Sequence, residues 1–319
     1  MGDIASAGAP AGPATRPLVV LVGPTAVGKT EVAIDLAEAL DAEIVSADSR
    51  YLYRGMDIGT AKPSPEEQAS VPHHLIDVTT PDRPWTLAQF QAAAYEAIEA
   101  IRARGRLALL VGGTGQYVRA MVEGWRVPTG EPDAGLRREL ESLLARKGIG
   151  ALVERLEAVD PDSARRIDLM NPRRVIRALE VALRTGASFV AQRRRSSPPY
   201  PIRMLGLTRS RAELYDRIDS RVDRMIADGL VEEVRCLTER GYGWELPAMS
   251  AIGYRQIGEY LRGECSLEEA VRRIKRATRQ FVRRQANWFK ADDPAIRWFN
   301  AGPGVAAELA AHLQAGEPE

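Results

Sequence analysis

An α/β fold built on a parallel sheet is predicted by three observations. Short apolar runs alternate with amphipathic helical patterns through the first half of the chain. The first run, Leu18 to Val22, passes into Gly23-Pro24-Thr25-Ala26-Val27-Gly28-Lys29-Thr30, which has the G-x-x-x-x-G-K-[ST] spacing of a P-loop. A helical pattern then follows at once, with Val32, Ile34, Leu36, Ala37 and Leu40 as its apolar positions. Strand, glycine-rich loop and helix together form a phosphate cradle. The glycines let backbone N–H groups turn inward, the helix adds its positive end, and Lys29 adds a mobile charge. Thr30 supplies a hydroxyl suited to Mg²⁺.

The remaining elements follow in order. Ala42 to Ala47 reads as a strand ending at Asp48, and His74 to Val78 as a short strand before Thr79-Thr80-Pro81. Thr86 to Arg104 is a helix with Leu87, Phe90, Ala94, Ile98 and Ile101 near one face. Leu107 to Val111 is a strand broken by Gly112-Gly113. A Pro/Gly-rich hinge, Val127 to Pro132, ends the pattern, and the chain is then helical to Gly186. Ala191 to Pro201 is a basic loop, and Ile202 to Leu207 returns as a core strand. Helices are expected from Arg211 to Arg240 and Ser266 to Lys290, with one short helical pattern after Gly302. The predicted organisation is a P-loop NTPase-like parallel-sheet core, 17–127 with 202–300, carrying a helical insertion domain at 128–201. Residues 1–16 form a floppy start and 301–319 a C-terminal tail.

The 319 residues carry a net charge of only +1, so an anionic macromolecule would have to meet a local basic patch. Cys236 and Cys265 are the only cysteines, which excludes a disulfide scaffold or Cys-rich zinc site and fits a cytoplasmic protein. No apolar stretch is long enough to span a bilayer, and residues 1–16 lack the apolar segment of a signal peptide. His73-His74 has no ligand at metal spacing and reads as packing.

Asp48 is the carboxylate to watch. It ends the strand after the P-loop helix, at the sheet edge where open α/β proteins bind ligands, and can take a proton from an acceptor. Its alternative use is to cap a turn. The strand Leu107 to Val111 ends in glycine and not in the Asp of a motor or switch NTPase. Asp48 to Pro63 mixes Arg, Tyr and Gly as a loop that stacks bases would. Arg217, Arg221 and Arg224 share a helix face and suit a pyrophosphate, unless Asp219 and Asp223 pair with them. Arg272, Arg273, Lys275, Arg276, Arg279, Arg283 and Arg284 crowd the last long helix, with Phe281, Trp288 and Phe289 on its expected buried side. A second basic cluster, Arg173, Arg174 and Arg177, sits in the insertion. Two such clusters point to nucleic acid.

Taken together the motifs resemble those of the bacterial tRNA dimethylallyltransferases. They are the P-loop at 23–30, Ser-Ala-Asp-Ser-Arg at 46–50, Tyr-Arg-Gly-Met-Asp-Ile-Gly-Thr-Ala-Lys-Pro at 53–63 and Pro-His-His-Leu-Ile-Asp at 72–77. Gly-Gly-Thr-Gly at 112–115, Asn-Pro-Arg-Arg-Val-Ile-Arg-Ala-Leu-Glu at 171–180, Ile-Gly-Tyr-Arg-Gln at 252–256 and Thr-Arg-Gln…Arg-Arg-Gln at 278–285 complete the set. Tyr51, where the family usually has Gln, and Gln116, where it has an apolar residue, are departures. The resemblance implies transfer of a dimethylallyl group from dimethylallyl pyrophosphate to N6 of the adenosine 3′ to the anticodon. Asp48, Arg221 and Thr114 would be catalytic, residues 23–30 would hold pyrophosphate, and Thr30 would place Mg²⁺. It implies that the anticodon stem-loop of tRNA meets Asp48, Ser49, Arg50, Tyr51, Thr114, Arg137, Arg173, Arg174, Arg177, Arg255, Gln256, Arg283, Arg284 and Gln285, and that the protein is a monomer. A small-molecule P-loop kinase with Asp48 as base explains residues 18–48 equally well, but not the basic last helix. A non-catalytic RNA-binding protein leaves Asp48 without a use.

Overall fold

The computed structural model describes residues 16–127, 133–192 and 196–315. Most of the hinge and part of the basic loop, Arg193 to Arg195, lie outside them. In chain order the first elements are β1 (Leu18–Val22), α1 (Lys29–Leu40), β2 (Ala42–Ser46), α2 (Pro65–Ser70), β3 (His73–His74), α3 (Leu87–Ala103), β4 (Leu107–Val111) and α4 (Gly115–Val122). Next come α5 (Ala134–Val159), α6 (Pro161–Arg166), α7 (Pro172–Thr185) and α8 (Phe189–Gln192). The chain closes with β5 (Ile202–Thr208), α9 (Arg211–Ala227), α10 (Leu230–Glu239), α11 (Tyr254–Leu261), α12 (Leu267–Gln285), β6 (Ile296–Asn300) and α13 (Val305–Gln314).

The chain forms two compact units, 1–122 with 198–319, and 123–197. These edges fall a few residues before those read from the sequence. Gly124 accepts hydrogen bonds from the Ser196 backbone and hydroxyl, which closes the smaller unit early. Tyr200, assigned to the insertion, is buried in the core of the larger one.

The larger unit is a six-stranded sheet in the order β3-β2-β4-β1-β5-β6, with every pair parallel. β1 and β2 are fully buried five-residue runs, as a sheet covered on both faces requires. One face packs Val20, Val45 and Leu110 against Phe90, Ile98 and Ile101 of α3. The other packs Val19, Leu21 and Leu109 against Val32 and Leu36 of α1. α3 begins at a Thr86 capping box, where the Thr86–Gln89 pair satisfies two orphan donors. A third cluster, centred on Tyr254, joins α9, α10, α11 and α12.

Several elements differ from expectation. The strand expected over 74–78 shrinks to His73–His74, because Leu75 and Asp77 adopt left-handed φ of 64° and 56° and end the ladder. The helix expected over 211–240 breaks at Asp228-Gly229, where Gly229 has φ 100°. β6 lacked a sequence signal, since only Ile296 and Phe299 of its five residues are buried. The segment after Gly302 is no loose tail: Val305, Leu309 and Ala310 of α13 are buried in the core beside α1.

The smaller unit is helical. α5 bends at Gly148, whose φ of 76° is outside the helical region, and α5 and α7 bury Leu140, Leu152, Val175 and Leu179 between them. Among the described residues no helix is long and apolar enough to cross a membrane.

Phe90 is fully buried and stacks on Tyr117 at 3.8 Å between centroids. Phe90→Ala is expected to cost about 3–5 kcal/mol of stability, read by urea denaturation of the purified variant.

Candidate functional site

The site lies at the carboxyl ends of β1, β4 and β2. β1 delivers Gly23 to Gly28, and Gly28 turns the chain into α1 with φ 107°, a conformation that favours glycine. No side chain caps α1, so its first N–H groups remain available to an anion. The loop is braced from outside. Arg217 Nε donates to Ala26 O at 2.8 Å and Arg209 Nε to Val27 O at 3.0 Å. Gln285 Oε1 accepts from Thr25 N and Oγ1 at 2.8 and 3.1 Å, while its Nε2 donates to Gly113 O at 3.1 Å.

β4 lies between β1 and β2, so Asp48 is one strand removed from the P-loop. The glycines at the end of β4 keep that gap open. A Cβ on Gly112 would stand 2.3 Å from Ala47 O. Thr114 crosses to the β2 side, where its Oγ1 accepts from Ser49 N at 3.1 Å and its N–H donates to Ala47 O at 3.3 Å.

Two cations and one carboxylate meet there. Lys29 Nζ donates to Gly23 O and Pro24 O, both at 2.9 Å. Burial lowers its pKa from 10.5 to about 8; Asp48 opposes the shift and Arg221 adds to it. Burial likewise holds the Arg221 guanidinium below its usual value, helped by Arg217 and Arg224 and opposed by Tyr51 and Asp48. Arg221 makes no hydrogen bond or ion pair among the described residues. It also lines a cavity of about 500 Å³ with Arg224, Met225, Ile58 and Lys62. Asp48 Oδ1 accepts from Arg50 N at 2.9 Å, an Asx turn that fixes the carboxylate and leaves its second oxygen unbonded among the described residues. The capping use of Asp48 and a chemical use are therefore compatible.

Tyr51 points inward. Its hydroxyl donates to Ala61 O at 2.7 Å, and burial, followed by the charge of Asp48, raises its pKa. Thr30 is also within hydrogen-bonding reach of that hydroxyl. Its hydroxyl is thus tied to the protein's own backbone, with the ring only partly exposed. Ser49 and Thr114 are half-buried, and Arg50 Nη1 donates to Pro247 O at 3.2 Å. The loop after Arg50 is locked by two groups that no motif assigns an individual role, although Lys62 lies within the 53–63 motif. Glu233 accepts from the N–H groups of Asp57, Ile58 and Gly59, and from Tyr254 Oη. Buried Lys62 bonds Tyr53 O at 2.9 Å and pairs with Asp57 and Asp77. No regular spacing marks either group.

Two expected RNA contacts are buried internal ties. Gln285 braces the P-loop as above, and Gln256 Oε1 caps Gly253 N at 3.0 Å. Arg137 and Arg177 both pair with Glu180, itself 1% exposed, at 3.3 and 3.2 Å, and their own side chains remain 42% and 36% exposed. Arg173, Arg174, Arg283 and Arg284 are exposed and unpaired among the described residues. Arg255 is exposed and within 3.9 Å of Glu259. Asp219 and Asp223 pair with Arg279 and Lys275 of α12, not with the arginine stripe of α9. His74 packs on Glu43, and His73 on Val71 O, as packing residues should.

The described residues contain no group of three His, Cys, Asp or Glu side chains able to hold a metal. A cation here would rest on the Thr30 hydroxyl, diphosphate oxygens and water, a set that suits magnesium.

A model of the IPP transferase family matches residues 51–292. The chain belongs to the IPP transferase family. A tRNA dimethylallyltransferase of Chloroflexus aurantiacus is 55% identical over 273 residues, which cover 86% of this chain and 92% of the relative. Among solved structures, the tRNA isopentenylpyrophosphate transferase of Bacillus halodurans is similar at TM-score 0.69 and 40% identity, covering 94% of this chain and 98% of that one. A eukaryotic dimethylallyltransferase acting on tRNA is similar at TM-score 0.78 and 27% identity, covering 94% of this chain and 78% of that one. For a member of the IPP transferase family, an anion site flanked by a carboxylate is the expected chemistry.

Lys29 is charged below about pH 8 and loses its proton above it, so anion binding favours the lower pH. Inorganic pyrophosphate is expected to bind up to about tenfold more weakly per unit above that pH. Lys29→Arg, which stays charged, should remove the part of the dependence due to this residue. Calorimetric titration of both proteins across the range measures the difference.

Proposed function

We propose that this chain transfers a dimethylallyl group from dimethylallyl pyrophosphate to tRNA, at N6 of the adenosine 3′ to the anticodon, releasing pyrophosphate. The observation that carries this reading is Asp48, a fixed carboxylate with one oxygen free, beside two half-buried cations at a phosphate loop. The diphosphate lies on the α1 N-terminus, with Lys29 and Arg221 taking up charge as it leaves. The adenine amine attacks the allylic carbon, the carbon–oxygen bond breaks, and the electron pair departs with pyrophosphate. The amine proton passes to Asp48. Thr114 and Ser49 line the acceptor side. Thr30 would hold Mg²⁺ against the diphosphate, and that ion would supply further charge neutralisation.

The target base must leave its stack to reach Asp48. Arg283 and Arg284 bind the RNA backbone in the larger unit, and Arg173 and Arg174 in the smaller one. Thermodynamics separates these arginines from Arg221, because backbone contacts release counterions.

The deciding experiment is mass analysis of tRNA nucleosides after incubation with labelled dimethylallyl pyrophosphate. Label on adenosine next to the anticodon is expected, without consumption of ATP. Stoichiometric ADP in its place would overturn the reading in favour of a kinase. Asp48→Ala should slow single-turnover transfer by roughly 10²–10⁴-fold while tRNA affinity changes far less. A variant as fast as the unmodified protein would remove Asp48 as the base. For Arg283→Ala with Arg284→Ala, tRNA binding should weaken and its log–log salt slope flatten by about 0.7–0.9 per lost contact. Arg221→Ala should slow transfer at saturating tRNA with that slope unchanged. A salt series on both variants reads the distinction.

A further inference from the structure

Trp288 breaks the expected pattern. The sequence places it on the buried side of the last long helix, yet it is 38% exposed, and Phe281 is 37% exposed. The two are seven residues apart, with Arg284 between them. Helical hydrogen bonds continue past α12 to Trp288, whose N–H donates to Gln285 O at 3.0 Å, so all three residues fall on one side of the segment.

The position of the Trp288 ring is determined by its neighbours. It lies on Gly115, where an added Cβ would stand 2.1 Å from the indole Cγ. Gly115 directly follows Thr114, and Thr114 holds Ser49, the residue after Asp48. The indole therefore borders the acceptor side of the site. Its backbone is also clamped: Arg119 Nη2 donates to Trp288 O at 2.8 Å and pairs with Asp293 at 2.7 Å. On the other side, Gln285 is tied to Thr25 and Gly113. A large aromatic ring held rigidly, with much of one surface in water, loses little freedom when a flat partner stacks on it.

Charge selects the partner. Arg283 and Arg284 are exposed, unpaired among the described residues, and within five residues of Trp288. A half-exposed aromatic flanked by free guanidiniums fits a nucleobase and its phosphates better than an apolar peptide. We infer that Trp288 is a stacking platform for a nucleobase of the RNA loop, next to the reacting adenine. The inference rests on the proposed transfer to RNA. It gives the acceptor side a positioning residue that replaces stacking lost when the target base leaves the loop.

The test uses the full chain and a tRNA anticodon stem-loop. Trp288→Leu should weaken RNA binding roughly 5- to 150-fold, the range for loss of one stacked base. Trp288→Phe should restore most of it, and inorganic pyrophosphate binding should be unchanged in both. Trp288 emission, taken as the difference between the unmodified protein and Trp288→Phe, should be quenched when RNA binds. Unmodified RNA affinity in Trp288→Leu, or no quenching, would overturn the platform even if prenyl transfer proceeds normally. Binding and quenching without any prenyl transfer would support the platform and overturn the proposed reaction. If Trp288→Leu instead dissociates a dimer in sedimentation, with RNA affinity unchanged, the exposed face is a self-association surface and the inference fails.

Discussion

The site depends on an unbalanced charge partly shielded from water. Lys29 and Arg221 are half-buried side chains whose pKa values are lowered by that burial, and Asp48 is the nearby carboxylate that opposes the shift in both. Two cations against one anion are costly without a ligand, because burial penalises each charge and the two repel. A bound diphosphate reverses that cost. The surplus positive charge is therefore stored binding energy for a polyanion, and it grows more favourable as charge builds on a leaving pyrophosphate. The bracing of the loop follows from the same need. Arg209, Arg217 and Gln285 hold backbone groups of Val27, Ala26 and Thr25, which fixes the shape of the loop.

Strand order gives the carboxylate its distance. Placing β4 between β1 and β2 sets the base a strand's width from the phosphate loop. That spacing leaves room for a short alkyl group between a diphosphate and an amine. A side chain at Gly112 would collide with Ala47 O and spoil it, so glycine ends the strand where a motor or switch protein would carry an acid. The absence of an acid at the end of β4 is a spatial requirement as much as a chemical one.

The P-loop and the sheet were legible because each rests on local chemistry. Apolar runs and glycine spacing report directly on backbone conformation. The partners of side chains were not legible. Gln256 and Gln285 look like surface amides in a basic, polar stretch, yet one caps α11 and the other ties α12 to the P-loop across 260 residues of sequence. Glu233 carries no motif and Lys62 belongs only to the 53–63 motif, with no role of its own; their ties emerge only when α10 and the 57–62 loop meet in space. β3 and β6 were misread for a different reason. β3 was read too long because the left-handed turns at Leu75 and Asp77 leave no sequence signal, and the half-exposed β6 carries too little periodicity to register.

Counting arginines therefore overstates the RNA surface. On α12, Arg272 and Arg273 are taken up by Glu269, Lys275 by Asp223 and Arg279 by Asp219. In the smaller unit, Arg137 and Arg177 share Glu180. A guanidinium already held by a carboxylate must give up that pairing before it can gain a phosphate, so its net contribution to RNA binding is small. Among the cations left over, four sit where the proposed function needs them. Arg283 and Arg284 are at the end of α12 whose Gln285 touches the P-loop, and Arg173 and Arg174 open α7. A chain with almost no net charge can thus present RNA with local positive patches, because acids neutralise part of its arginine complement in place.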